Sequence, residues 1–383
     1  MQTIAEAEFL SEEHQIFRQQ IRRWVNDHLT PHVDQWEADQ TFPREIYRKA
    51  GEAGWLGVGF PEEVGGSGGD LLHSLIVAEE WTRSGSPGLA ASLGSLAIAA
   101  PPILHAGTDE QKQAWLPKIL SGEWIAALAV TEPGTGSDVA AVRTRAVRDG
   151  DEYVVNGSKI FITSGVRADY VTALVRTGEA GMGGLSFLGI ETDRPGFKVG
   201  QNLQKMGWKA SDTAELFFED LRVPVDHLIG PENGGFLVAM QNFAVERLML
   251  AAQCVAIAEM AFEASRTYVQ EREAFGRPIA KFQVTRHKLA EMATRLDVCR
   301  TYVYTLASRL EAGDMRLAEV AMAKNACTDM ASAVVDEAVQ LHGGYGYMQE
   351  YLVERLYRDA RIYPIGGGTR EIMNEVISRQ LQW

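Results

Sequence analysis

The chain has 383 residues, 46% of them apolar and 23% charged, with a formal net charge of −14. That composition supports two or three domains with sizeable cores and argues against disorder. The acidic balance disfavours nucleic acid and anionic membranes as partners, so an anionic ligand needs a local cluster of cations.

The opening stretch, MQTIAEAEFLSEEHQ, is acidic and has neither the basic nor the apolar segment of a leader, which also speaks against a mitochondrial presequence. No apolar run approaches the ~20 residues of a membrane span. Cys254, Cys299 and Cys327 lie far apart and form no CxxC pair. Buried free thiols in a reducing cytoplasm are the expectation.

Residues 1–122 read as a helical domain. Ser11 is placed to cap a helix whose apolar positions Ile16, Phe17, Ile21, Trp24, Val25 and Leu29 recur at helical spacing. A second helix is predicted from about Pro43, a long glycine-rich loop over 54–70, and further helices over 71–83, 88–105 and 109–120. From Trp124 the period changes. Short β-rich runs at 124–130, 151–157, 158–165, 170–176, 185–191 and 214–224 predict a mostly antiparallel β domain over 123–232. Asn156-Gly157 between two such runs predicts a two-residue hairpin turn. Residues 233–383 return to helices, predicted at 234–272, 282–311, 315–341, 350–360 and 370–381. Leu289, Met292, Leu296, Cys299, Val303, Leu306 and Leu310 keep the spacing of a bundle helix. The fold class is therefore α+β in several parts: an N-terminal α-helical domain, a middle antiparallel β domain and a C-terminal four-helix bundle. No GxGxxG links a strand to a helix, which disfavours a doubly wound dinucleotide fold.

Five segments could carry chemistry. AVTEPGTGSD (129–138) leaves a strand and exposes N–H groups and hydroxyls, as a binding loop or a plain surface turn does. Phe161-Ile-Thr163 puts an aromatic and a hydroxyl on one strand face, suited to a flat heterocycle or to an ordinary half-buried strand. QEREAFGRPIAKFQ (270–283) gathers Arg272, Arg277 and Lys281 around Phe275, fit for a pyrophosphate and an adenine or for a solvated helix end. QLHGGYG (340–346) permits close backbone approach or a simple helix cap. The fifth, YPIGGGTREIM (363–373), gives up three side chains before a final helix.

In this order and spacing the five segments resemble the acyl-CoA dehydrogenase family over essentially the whole chain. The resemblance implies a β domain of two stacked sheets, a homotetramer, and FAD bound between the β and C-terminal domains and reaching a neighbouring subunit. It implies that Leu128, Val130, Thr131, Gly136 and Ser137 line the flavin, with Phe161, Ile162 and Thr163 closing the other side. Relatives often carry Trp where Phe161 stands and Ala where Thr135 stands. Arg272, Phe275 and Gln283 are implied to hold the pyrophosphate and adenine, with Gln340, Gly343, Gly344, Thr369 and Glu371 completing that site. Ser137, Phe243, Val245, Arg247, Gly367 and Gly368 are implied to face an acyl-CoA.

The reaction implied is removal of an α proton and a β hydride from an acyl thioester to give the trans-2-enoyl thioester, with electron-transfer flavoprotein as acceptor. Many relatives place a glutamate base where this chain has Gly367, and glycine cannot accept a proton. A smaller subset, including isovaleryl-CoA and long-chain acyl-CoA dehydrogenases, carries the base as Glu-Arg-Leu in a long helix. Glu246-Arg247-Leu248 matches that pattern, so the resemblance implies Glu246 as base, with the Gly367 N–H on the thioester oxygen. It also implies that a carboxylate moved from 246 to 367 would serve the same carbon. Alternatives are an acyl-CoA oxidase or flavin monooxygenase on the same fold, or a non-catalytic acyl-thioester-binding protein.

Overall fold

A computed structural model describes residues 4–382, and the elements run in the order helices, strands, helices. Ser11 caps helix α1 (Glu12–His28): its hydroxyl accepts from the His14 N–H, and His14 Nδ1 accepts back from the Ser11 N–H. Asp70 and His73 repeat the arrangement at α2 (Leu71–Thr82). His14 Nε2 lies 3.0 Å from the same Asp70 carboxylate, so one acid ties two helix starts together. The helix expected from Pro43 begins two residues later, at Glu45–Glu52. The single helix expected over 88–105 is three short ones, Pro87–Leu93, Leu96–Ala99 and Pro101–Ala106. Pro101 and Pro102 have no N–H to donate, so the helical ladder cannot run through them.

The middle domain has β1 (Ala126–Ala129), β2 (Arg145–Asp149), β3 (Glu152–Thr163), β4 (Tyr170–Arg176), β5 (Leu185–Glu191), β6 (Phe197–Asn202), β7 (Thr213–Pro224) and β8 (Leu228–Ile229). Hydrogen bonds join them in the order β6-β7-β3-β2-β4-β5-β8, with β1 beside β4. The two halves meet through a single parallel pair, Arg145–Arg176. Val155, Leu216 and Phe218 from one half share a buried cluster with Val171, Ala173 and Leu188 from the other, the packing of two stacked layers.

The hairpin expected at Asn156-Gly157 is absent. Strand β3 runs straight through it, and the β2–β3 turn lies instead at Gly150-Asp151. Gly157 is a bulge position: a Cβ there would fall 2.7 Å from Thr144 Cα, just before β2, so only glycine lets the two segments approach. Asn156 receives the Asp220 N–H, a strand-to-strand bond rather than a turn bond.

The C-terminal part comprises α3 (Gly235–Glu271), α4 (Gln283–Glu311), α5 (Leu317–His342), α6 (Leu352–Ala360) and α7 (Arg370–Gln380). Met292, Leu296, Cys299, Val303 and Leu306 of α4 are buried, as their spacing requires, and so are all three cysteines. By length and composition α3 could cross a membrane, contrary to the reading of the apolar runs, but 61% of its most apolar 18-residue window is buried within this protein. It is the helix against which α5 and the 363–369 segment pack.

Candidate active site

The three glycines form a turn between buried Tyr363 and Thr369, whose hydroxyl caps α7 by accepting the Ile372 N–H at 3.3 Å. Gly367 and Gly368 have φ of +65° and +99°, a backbone that side-chain-bearing residues rarely adopt. The turn lies on α3. A Cβ built on Gly367 would stand 2.4 Å from Leu250 Cδ1 and 3.5 Å from Glu246 Oε1. Arg247 Nε donates to the Gly367 carbonyl at 3.3 Å, and Lys324 Nζ from α5 donates to the Gly368 carbonyl. The N–H groups of Gly367 and Gly368 have no acceptor among the described residues.

Glu246 is half-buried, but its Oε2 is shut off from solvent and lacks a hydrogen-bond partner among the described residues. Burial pushes its carboxyl up to about 7, against the opposing pull of Arg247 and Lys324. An orphaned carboxylate oxygen inside apolar surroundings is a poor structural element and a good base. Phe243 and Val245 lie on the same helix; Val245 is exposed, and the Arg247 guanidinium sits 5.5 Å from the Phe243 ring centre. Arg247, expected to face substrate, is engaged with the Gly367 carbonyl.

A second group of site residues leaves β1. Leu128, Val130 and Thr131 are half-buried, and Gly136 and Ser137 are exposed. The loop is bound to β3 by the Ile160 N–H on the Thr131 carbonyl, at 2.9 Å. Beneath it lies an ion pair that sequence reasoning missed. The fully buried Lys159 Nζ donates to Glu132 Oε1 and to the Val130 carbonyl, both at 2.9 Å. Glu132 also accepts from the N–H groups of Arg143 and Thr144, at 2.7 and 2.8 Å. Burial pulls the Lys159 ammonium down to about 8, with Glu132 holding it up. The available signal was Lys159 standing in alternation with the apolar, inward Tyr153 and Val155 of the same strand, a position that demands a buried partner.

Phe161 is 64% exposed and has φ +61° at a register shift between β3 and β7. Ile162 points the other way, into the β core, so only its backbone is available to a ligand. Thr163 is half-buried beside it.

A third group lies at the far ends of α3 and α5. A cleft of about 480 Å³ is lined by Tyr268, Arg272, His342, Gly343, Gly344 and Tyr345, among others. Nothing stands within 4 Å of a Cβ built on Gly343 or Gly344, so the cleft floor is open backbone. Phe275 is 95% exposed, Gln283 is exposed at the start of α4, and Gln340 is exposed at the end of α5. Thr369 and Glu371 belong instead to the start of α7, beside the glycine turn.

Models of the acyl-CoA dehydrogenase N-terminal, middle and C-terminal domains match residues 11–123, 127–221 and 233–382. The mouse protein named long-chain specific acyl-CoA dehydrogenase, mitochondrial, is 42% identical over 97% of this chain and 87% of its own length. The chain belongs to the acyl-CoA dehydrogenase family. A probable acyl-CoA dehydrogenase from Mycobacterium abscessus has a crystal structure that superposes with a TM-score of 0.96 at 50% identity, covering 97% of this chain and all of that one. A chain in a structure described as the electron transferring flavoprotein of Acidaminococcus fermentans matches with a TM-score of 0.94 and 40% identity, over 97% and 98% of the two chains.

The family's cofactor is FAD. The donor set fits it. Exposed Phe161, the N–H-rich 131–137 loop and the free glycine N–H groups suit a flavin and its thioester partner. The open Gly343-Gly344 floor beside Arg272 suits a pyrophosphate, and a nearly bare Phe275 suits an adenine.

Proposed function

We propose that this acyl-CoA dehydrogenase acts through Glu246, which takes the α proton of the acyl-CoA thioester. One observation carries the assignment: the side-chain position of Gly367 and the Glu246 carboxylate converge, 3.5 Å apart, so the base position empty in the loop is served from α3. The shielded carboxyl, held near 7, is matched to proton transfer at working pH. The Gly367 N–H, which has no other acceptor among the described residues, stabilises charge developing on the thioester oxygen. Bound FAD supplies the acceptor for the β hydride. Thr131, Ser137, Phe161 and Thr163 position the flavin. Arg272, Phe275 and Gln283 hold the remainder of a cofactor, in our reading one bound to a second copy, in a homotetramer. Electron-transfer flavoprotein is the proposed acceptor, and the compartment the cytoplasm.

The test is anaerobic mixing of the FAD-loaded protein with straight and branched acyl-CoAs. Loss of the oxidised flavin absorbance with at least one thioester is expected. No bleaching with any of them would leave an acyl-thioester-binding protein rather than an enzyme.

A further inference from the structure

Lys324 has no assigned part in this chemistry, yet it is only 1% exposed and ends at the glycine turn. A lysine enclosed in a helical bundle needs a reason, because burying an ammonium is expensive unless it is paired. Its hydrogen-bond acceptor is the carbonyl of Gly368, a neutral group. The titratable groups facing it are Glu246, Arg247 and Cys254, all on α3. Burial pushes the Cys254 thiol up, so it stays neutral. Arg247 is a like charge. Glu246 is thus the one anion available to Lys324 among those groups, and the groups facing Glu246 are in turn Arg247 and Lys324.

The backbone of the turn is held from both helices. In a trans peptide the N–H points opposite to the C=O of the same unit. Arg247 on the Gly367 carbonyl therefore fixes the Gly368 N–H, and Lys324 on the Gly368 carbonyl fixes the Thr369 N–H. Two cations from two helices hold two consecutive peptide planes of a turn that glycine leaves otherwise free to rotate.

We propose that Lys324 is a positioning residue for proton abstraction: it anchors the Gly367–Gly368 turn beside Glu246 and adds its charge to that of Arg247 in favouring the Glu246 carboxylate. The proposal rests on Glu246 being the base. It gives the site two opposed titrations. Glu246 must lose its proton, with a midpoint near 7. Lys324 must keep its own, and burial has brought it down to about 8. Proton abstraction therefore has an acid limb set by Glu246 and an alkaline limb set by Lys324.

The experiment follows the pH dependence of anaerobic flavin bleaching in FAD-loaded wild type, Lys324→Arg and Lys324→Met. A second readout needs no turnover. A 3-thia-acyl-CoA has an acidic α proton and no β hydride to lose, so the absorbance of its bound enolate against pH reports ionisation alone. Wild type should give a bell. Lys324→Arg, whose charge persists at high pH, should keep the acid limb and lose the alkaline one. Lys324→Met should move the acid limb up by about 1 pH unit or more, because a cation that favoured the carboxylate is gone. In both readouts the acid limb should move together. An alkaline limb that survives in Lys324→Arg overturns the proposal, as does a Lys324→Met acid limb at its wild-type position. Should Lys324→Met fail to hold FAD, the arginine variant decides alone. Wild-type protein that bleaches at no pH sinks the dehydrogenase reading instead, which keeps the two failures distinct.

Discussion

Moving the base across the site is the most demanding consequence of the geometry. Sequence comparison suggests a plain exchange, Glu246→Gly with Gly367→Glu, since both positions serve one carbon. The structure predicts that this exchange performs poorly. The left-handed backbone at Gly367 costs a glutamate about 1–2 kcal/mol. Its Cβ would also stand 2.4 Å from Leu250 Cδ1, the far end of a half-buried side chain that can turn aside, so the clash adds about 1 kcal/mol, the low end of overpacking. Relieving the backbone strain shifts the turn, and a displacement of about 1 Å at a reacting group costs on the order of 10²-fold in rate. That is comparable to the 10²–10⁴-fold that a general base typically contributes. Adding Leu250→Ala removes the clash and leaves only the backbone term. The assay is stopped-flow bleaching of the flavin by an acyl-CoA series, with FAD content and thermal stability of each variant recorded. The order of rates should be Glu246→Gly lowest, the double exchange close to it, and the triple variant clearly above both. If a folded, FAD-loaded triple variant is no faster than Glu246→Gly, the two positions do not converge. If the double exchange already matches the triple, Leu250 is not the obstacle.

Two further outcomes follow from the buried charges. Folding holds the Glu246 carboxyl at about 7, above its usual range, so the residue's contribution to stability is full at low pH and lost as pH rises through 7. Glu246→Gln should therefore leave the melting temperature near wild type at pH 5 and raise it at pH 8; an unchanged difference between the two pH values would refute the assigned environment. Lys159→Met strips Glu132 of its buried counter-ion, a change that typically costs 3–5 kcal/mol. It should lower the melting temperature and release FAD on gel filtration, because Glu132 holds the 131–137 loop through Arg143 and Thr144; full retention of FAD would show that the loop stands without it.

The order of helices, strands and helices was legible because the apolar period changes near Trp124 and again near Gly234. Ser11 could be read as a cap because the signal is local. Asn156-Gly157 misled because its glycine answers to Thr144, a neighbour at the entry to β2, rather than to a turn. The same holds at the site. Glu246 was visible through resemblance and through the missing side chain at 367. Leu250, which fills the space a side chain at 367 would need, was not, although it lies one helical turn from Glu246. Lys159, Glu132 and Lys324 escaped for the physical reason that a buried charge is defined by its partner, and those partners lie 27 to 44 residues away in sequence. Phe161 was read as sharing a strand face with Thr163, but its φ of +61° and the accompanying register shift come from pairing with β7 and leave no mark in the strand's own residues.

Removal of the α proton by Glu246 is tested most directly by its glutamine variant. Glu246→Gln preserves the shape of the side chain and removes its ability to accept a proton. Mixed anaerobically with an acyl-CoA that bleaches the wild type, the FAD-loaded variant should bind the thioester, seen as a perturbed flavin spectrum, and hold its oxidised absorbance at least 10²-fold longer. Bleaching at the wild-type rate would contradict the account and place the base elsewhere.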